Sequence, residues 1–281
     1  MTSTRLLIAG AGGMLGQDLV EAAAGEFELV ALTHAELDIA DGQAVDEAVR
    51  QTRPDVVVNC AAWTDVDGAE SAPQAASAVN AAGAANVARS ACAAGAWVIH
   101  ISSDYVFDGT KESPYVESDP PNPLSAYGQS KLAGELEVAR SAPQQHTVVR
   151  SSWLFGPHGR CFPATILERA AERDELAVVD DQVGSPTFTG HLAKGLLELV
   201  SSRPPAGTIH VAGEGSCSWF ELAGAVVELA GVDCRIKPAR TADMARPAPR
   251  PAYSVLASEL PQAPRLPNWR QGLEDFLAVR V

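Results

Sequence analysis

Along the first 152 residues, short runs of Val, Ile, Leu and Ala alternate with longer stretches of helical character. The apolar runs fall at 5–10, 27–33, 55–61, 97–102 and 147–152, and each is almost unbroken. An unbroken apolar run marks a strand buried on both faces, whereas a half-exposed strand alternates apolar and polar positions. Between the runs lie segments rich in good helix formers, at 17–24, 73–94 and around 125–135. Strand and helix in alternation, joined by right-handed crossovers, predict an α/β fold: a doubly wound parallel sheet of Rossmann-like type. Ligands of such folds lie outside the carboxyl ends of the strands.

After Trp153 the pattern loses its regularity and becomes rich in Gly and Pro. Residues 207–213 read as a further strand returning to the sheet, 218–230 as a helix, and 239–252 as a Pro/Arg loop. The expected division is a dinucleotide-binding domain over 1–152 and a smaller C-terminal lobe, mainly substrate-binding, over 153–281. Internal repeats and low-complexity linkers are not evident.

The first strand breaks into Gly10-Ala-Gly-Gly-Met-Leu-Gly16 before the first helix. Strand, glycine turn and helix form the context a dinucleotide fingerprint requires. The spacing here is G-x-x-G-x-x-G, but the physical task is the same. Gly10, Gly13 and Gly16 allow a tight turn, close approach of a pyrophosphate to the backbone, and amides at a helix N-terminus facing anionic oxygens. The second run ends in Thr33-His34, with neither the acid expected for NAD nor an Arg for a 2′-phosphate, so NADPH and NADH both stay open. Asp38 is either an adenosine-side contact or the start of the next helix.

Tyr127 and Lys131 stand four apart in Ser125-Ala-Tyr-Gly-Gln-Ser-Lys-Leu-Ala-Gly-Glu135, on one face of a predicted helix. An ammonium beside a phenol favours phenolate and lowers a pKa normally about 10, which makes the Tyr a proton donor near neutral pH.

Composition narrows the partners. With 35 acidic residues against 21 Lys plus Arg, the formal net charge is −14. That argues against nucleic acid or an anionic membrane, since both need a basic footprint. No apolar run is long enough to span a bilayer, and Met1-Thr-Ser-Thr-Arg5 leads straight into the first strand. A cytoplasmic protein is expected. Five cysteines lack metal-ligand or C-x-x-C spacing, and Cys60 and Cys234 read as buried thiols.

These blocks, with Asn59-Cys-Ala-Ala-Trp-Thr-Asp-Val-Asp67, Ser102-Ser-Asp-Tyr-Val-Phe-Asp-Gly109, Arg150-Ser-Ser-Trp-Leu-Phe155, Asp181-Gln-Val-Gly-Ser-Pro-Thr187, Gly215-Ser-Cys-Ser-Trp219 and Arg250-Pro-Ala-Tyr-Ser-Val-Leu256, carry a resemblance over nearly the whole chain. The chain resembles the extended short-chain dehydrogenase/reductases, and among them the dTDP-4-dehydrorhamnose reductases. The resemblance implies NADPH or NADH as cofactor and a dTDP-sugar whose C4 ketone is reduced, with monomer or homodimer left open. It implies that Tyr127 protonates the C4 oxygen, that Lys131 holds the nicotinamide ribose, and that Ser103, commonly Thr in the family, hydrogen-bonds the same oxygen. It places Met14 and Leu15 at the pyrophosphate turn, and Asp38 and Ile39 at the adenosine. Ala61, Ala62, Trp63 and Thr64 run along the cofactor, and Asp104 and Trp153 meet the substrate. Arg250 is the candidate for the substrate diphosphate, because Arg suits bidentate phosphate contact.

Two departures stand out. Tyr253 occupies a position often held by Asn. Some family members dimerise through a metal bound by acidic side chains; Asp18 matches one ligand, but no acidic counterpart stands near Phe188-Thr-Gly-His191, so no metal is expected. The competing functions are another nucleotide-sugar epimerase or dehydratase, and a non-catalytic reductase-like regulatory subunit.

Overall fold

The computed structural model describes residues 4–280. Six strands build one sheet: β1 (Arg5–Ala9), β2 (Glu28–Leu32), β3 (Val56–Asn59), β4 (Trp97–Ser103), β5 (His146–Ser151) and β6 (Gly207–His210). Their order is β6-β5-β4-β3-β1-β2, and every adjacent pair is parallel. The order reverses between β1 and β3, which opens a crevice at their carboxyl ends.

The longer helices are α1 (Met14–Ala23), α2 (Gly42–Thr52), α3 (Ala84–Ala93), α4 (Ala126–Ser141), α5 (Phe162–Ala170), α6 (Thr189–Ser202), α7 (Trp219–Ala230) and α8 (Trp269–Ala278). Side chains alternate across a strand, so Leu6 and Ile8 face one side and Leu7 and Ala9 the other. The first pair packs with Leu19 of α1 and Leu192 and Leu196 of α6. The second packs with Val45 and Val49 of α2 and Ala84, Val87 and Ala88 of α3. Both faces are covered, which is why the strand sequences are apolar throughout.

The Ala-rich stretch expected as one helix over 73–94 is instead divided. A short helix, Pro73–Ser77, runs into a π-type segment, Ala78–Gly83, and then into α3. Side-chain bonding explains the break. Asn80 accepts from the Trp63 amide at 2.8 Å and donates to the Trp63 carbonyl at 3.1 Å and to Ser130 Oγ at 2.9 Å. Gly134 of α4 makes the approach possible, since a Cβ there would lie 2.2 Å from the Asn80 carbonyl oxygen. Wide turns of this kind recur at functional sites, and this one fixes the wall that follows β3.

After β5 the chain builds a second cluster in which α5, α7 and α8 pack around Phe155, Leu222, Val226, Leu273 and Phe276. Arg235–Ala239 pairs in parallel with Glu175–Val179 beside it. The α7 N-terminus is closed by a reciprocal cap, Ser218 Oγ accepting from the Glu221 amide and Glu221 accepting from the Ser218 amide. Among the described residues, no helix is long and apolar enough to cross a membrane.

Candidate active site

A cavity of about 1080 Å³ opens at the carboxyl ends of the central strands. The glycine turn contributes Gly10, Gly13, Met14, Leu15 and Gly16 to its wall, and the segment after β2 contributes Asp38 and Ile39. Ala61, Ala62, Trp63 and Thr64 follow from the end of β3, Ser103 and Asp104 from β4, Tyr127 and Lys131 from α4, and Trp153 from beyond β5.

The glycines of the turn divide by what constrains them. Gly10 has φ +78°, and a Cβ there would lie 2.5 Å from the Ala61 amide nitrogen. A Cβ on Gly16 would lie 2.3 Å from the Gly10 carbonyl oxygen. Packing therefore dictates both. Gly13 has ordinary extended geometry, and its Cβ would meet only the Gly10 oxygen, at 3.3 Å. Among the described residues, no other atom lies within 4 Å of that position. Gly13 is also the N-cap of α1, whose first turn has no acidic residue and no side-chain cap. Open amides and the positive helix end face that space, which suits an anionic diphosphate. Asp38 Oδ1 accepts from the Ala40 amide at 2.9 Å, while the cap of α2 is Asp41.

Tyr127 and Lys131 are both buried, at 9% and 2% exposure. Ser125 caps α4 by accepting from the Gly128 amide at 3.1 Å, and a Cβ on Gly128 would meet the Tyr105 carbonyl at 2.2 Å. The helix start is thus pressed onto the turn after β4, beside Ser103. Burial raises the Tyr127 phenol above its ordinary 10.0, and the Ser103 hydroxyl pulls it back. Lys131 Nζ donates to the Ile101 carbonyl at 2.6 Å. Burial lowers its pKa to about 8, opposed by Glu135 and Cys60. The expectation that Lys131 depresses the Tyr127 pKa is corrected here. The ammonium is turned onto Ile101, and Ser103 supplies the lowering contact.

Asp104 is 2% exposed and accepts from Ser254 Oγ at 2.6 Å and Ser103 Oγ at 3.0 Å. Burial outweighs these donors and raises its pKa to about 6. Beneath Lys131 lies an ion pair absent from the sequence reading: Arg150 donates to Glu135 at 2.9 and 2.6 Å, and Ser102 Oγ donates to the same carboxylate at 2.5 Å. Removing one partner would strand a buried charge. A signal existed, since Glu135 stands four residues beyond Lys131 on one helix face. Ser151 was also missed; it lines the cavity with a buried hydroxyl that has no partner among the described residues.

Trp153 adopts φ +47° and stacks on Trp219, with centroids 3.5 Å apart and planes within 3°. Arg250 does not line the cavity. Its guanidinium is taken by Asp67 in a two-point contact at 3.1 and 3.0 Å, behind the Tyr105 that does line it. Its charge is paired here with Asp67, which it holds down to about 2. Asp18, singled out for a metal-ligand match, sits with Glu21 and His158, one ligand atom of each lying within 4.8 Å of the others. His191 instead meets Asp275 at 2.8 Å.

A doubly wound sheet, an open glycine turn at its switch point and a Tyr–Ser–Lys group beside it define a dinucleotide-dependent oxidoreductase of the extended short-chain type. The profile of the RmlD substrate binding domain matches residues 4–280, and the chain belongs to that family. A dTDP-4-dehydrorhamnose reductase from Mycolicibacterium smegmatis is 43% identical over 284 residues, covering 99% of this chain and 86% of that one. The spore coat polysaccharide biosynthesis protein SpsK of Bacillus subtilis is 40% identical over 282 residues, with 99% and 98% covered. The structure of a dTDP-4-dehydrorhamnose reductase from Bacillus anthracis, in complex with NADP, superposes with a TM-score of 0.96 at 36% identity, covering 99% of this chain and 100% of that one.

Proposed function

We propose that the chain reduces the C4 ketone of dTDP-4-dehydro-L-rhamnose to dTDP-L-rhamnose, using NADPH or NADH. The observation that carries the reading is the placement of Tyr127 and Ser103 on the wall of the cavity that also holds the open glycine turn. The residues fit a dinucleotide: among the described residues a Cβ on Gly13 would have the Gly10 oxygen as its one close neighbour, and the buried Ser151 hydroxyl on the cavity wall has no partner. Gly10, Gly13, Met14, Leu15 and Gly16 would hold its diphosphate, Asp38 and Ile39 its adenosine side, and Ala61, Ala62, Trp63, Thr64 and Lys131 its nicotinamide half. When bound, the reduced dinucleotide supplies the hydride.

The chain's own part is to place the ketone and to settle the charge that develops on its oxygen. The Tyr127 phenol and the Ser103 hydroxyl, once turned from Asp104 to the ketone, are the donors for that oxygen, and the Tyr127 proton is the one transferred. Donors fixed in a buried site act where charge appears without reorganising, which is the larger share of catalysis of this kind. A phenol held above its ordinary pKa stays protonated until the oxygen becomes basic enough to take the proton. Asp104 accepts the Ser103 hydrogen bond until the ketone takes its place, and Trp153, stacked on Trp219, offers a flat wall for the sugar. Arg250 supports the same wall through Tyr105.

In this reading the first 152 residues hold the cofactor and the remainder mainly the substrate. The protein works in the cytoplasm on a dTDP-sugar, without nucleic acid or membrane as partner. The test is the stoichiometry of cofactor oxidation with dTDP-4-keto-sugar, compared with UDP- and GDP-keto-sugars. One reduced dinucleotide consumed per dTDP-sugar supports the reading. Conversion without net oxidation would assign the chain to epimerases or dehydratases.

A further inference from the structure

Both the proposed cofactor and the proposed substrate carry a diphosphate, yet the chain has a formal charge of −14 and Arg250 is committed to Asp67. Among the described residues that line the cavity, the basic side chains are His34, Lys131 and Arg160. Lys131 is buried and bound to the Ile101 carbonyl. Arg160 is exposed and makes no hydrogen bond or ion pair among the described residues. It is the uncommitted guanidinium of the cleft.

Its loop is built rather than loose. His158 Nε2 lies 3.5 Å from Asp18 and 3.2 Å from Glu21 without a hydrogen bond, which sets the loop against α1. Gly159 turns the chain with φ +91°. Cys161 then caps α5 and donates its Sγ to the Gly156 carbonyl at 3.6 Å. The α5 N-terminus, like that of α1, has no side-chain cap and no acidic residue in its first turn. One uncapped helix start in the glycine turn and one free guanidinium thus meet a site that must take two diphosphates. The α1 start lies in the glycine turn. The Arg160 loop borders both sides: His158 lies beside α1, while Phe162 packs on Trp219 at 4.5 Å and Trp219 stacks on Trp153, the wall proposed for the sugar.

We propose that Arg160 holds a diphosphate in this cleft, and that this is the diphosphate of the sugar nucleotide. The inference rests on the proposed function. The test titrates dTDP, thymidine, NADPH and NADH separately into the whole protein and into Arg160→Ala and Arg160→Lys. Arg160→Ala should weaken dTDP about ten- to a hundredfold, the worth of a hydrogen bond to a charged group. Lys should recover part of the loss, as a charge without the two-point geometry. Thymidine has no phosphate and should bind all three proteins alike.

Dinucleotide affinity should stay within about threefold, given the separate seat at α1. Undiminished dTDP affinity in Arg160→Ala would overturn the proposal. A loss confined to NADPH and NADH would overturn it too, by moving the contact to the cofactor. Turnover of the dTDP-4-keto-sugar by the wild type separates the two readings. If it is absent, the function itself fails; if it is present with dTDP binding unaltered, only the role of Arg160 fails.

Discussion

Asp104 couples the stability of this fold to pH in the direction opposite to most carboxylates. It is 2% exposed, and burial raises its pKa from 3.8 to about 6 despite hydrogen bonds from Ser254 and Ser103. The folded protein therefore holds this proton more tightly than the unfolded chain does. The favourable contribution is complete below the unfolded value of 3.8 and is lost as pH rises through about 6. A shift of about 2 units, at about 1.4 kcal/mol each, leaves about 3 kcal/mol withheld at neutral pH. Asp104→Asn keeps the shape and cannot ionise. Urea unfolding of both proteins, followed by tryptophan fluorescence, isolates the effect as a difference. That difference should move in the variant's favour by about 2 kcal/mol between about pH 4.5 and about pH 7.5, with an unchanged denaturant slope. A difference flat to within about 0.5 kcal/mol would refute the reasoning. It would mean that the hydroxyl donors around Asp104 outweigh its burial.

Tyr127→Phe keeps the packed ring against Tyr105 and should leave stability nearly unchanged, while single-turnover reduction slows about 10²–10⁴-fold, the usual worth of a positioned acid. Near-wild-type turnover in that variant would remove Tyr127 as the proton donor, and Lys131→Met should differ from it by weakening cofactor binding as well. Gly13→Val should fold, because its Cβ has one close contact, the Gly10 oxygen at 3.3 Å, and no overlap under 3.0 Å, yet lose more than about tenfold in dinucleotide affinity, above about 1.4 kcal/mol. Gly16→Ala should instead lower the melting temperature, since its Cβ strikes the Gly10 carbonyl, and the pair of results would fail if the two variants exchanged behaviour. For Arg250 and Asp67, a double-mutant cycle in urea should give a coupling of about 1 kcal/mol, modest because the pair is partly exposed. Zero coupling would return Arg250 to the role of a free phosphate ligand.

The sheet was legible because burial on both faces leaves a one-dimensional mark, as in Val56, Val57 and Val58, which pack into opposite layers yet are all apolar. The glycine turn was legible for a related reason. Gly10 and Gly16 satisfy local backbone demands, and local demands appear in local spacing. The break at Ala78–Gly83 was not legible, because it follows from Asn80 reaching Trp63 and Ser130, and that pairing exists only once β3 and α4 are side by side.

Charge is where sequence and structure part furthest, since a basic residue shows its type in the sequence but not what it is spent on. Arg250 stood in a promising loop, and its charge is spent on Asp67, 183 positions away. Lys131 stood at the right helical spacing, and its ammonium is spent on Ile101. Arg150 lay inside a conspicuous block, and it is spent on Glu135. Arg160 carried no local signal at all, yet it keeps its guanidinium free at the edge of the cleft. In a chain this acidic, an anionic ligand needs a cation that the protein has not already neutralised. An uncommitted guanidinium is the more informative one, because leaving it unpaired gains the fold nothing and leaves it available to an anion.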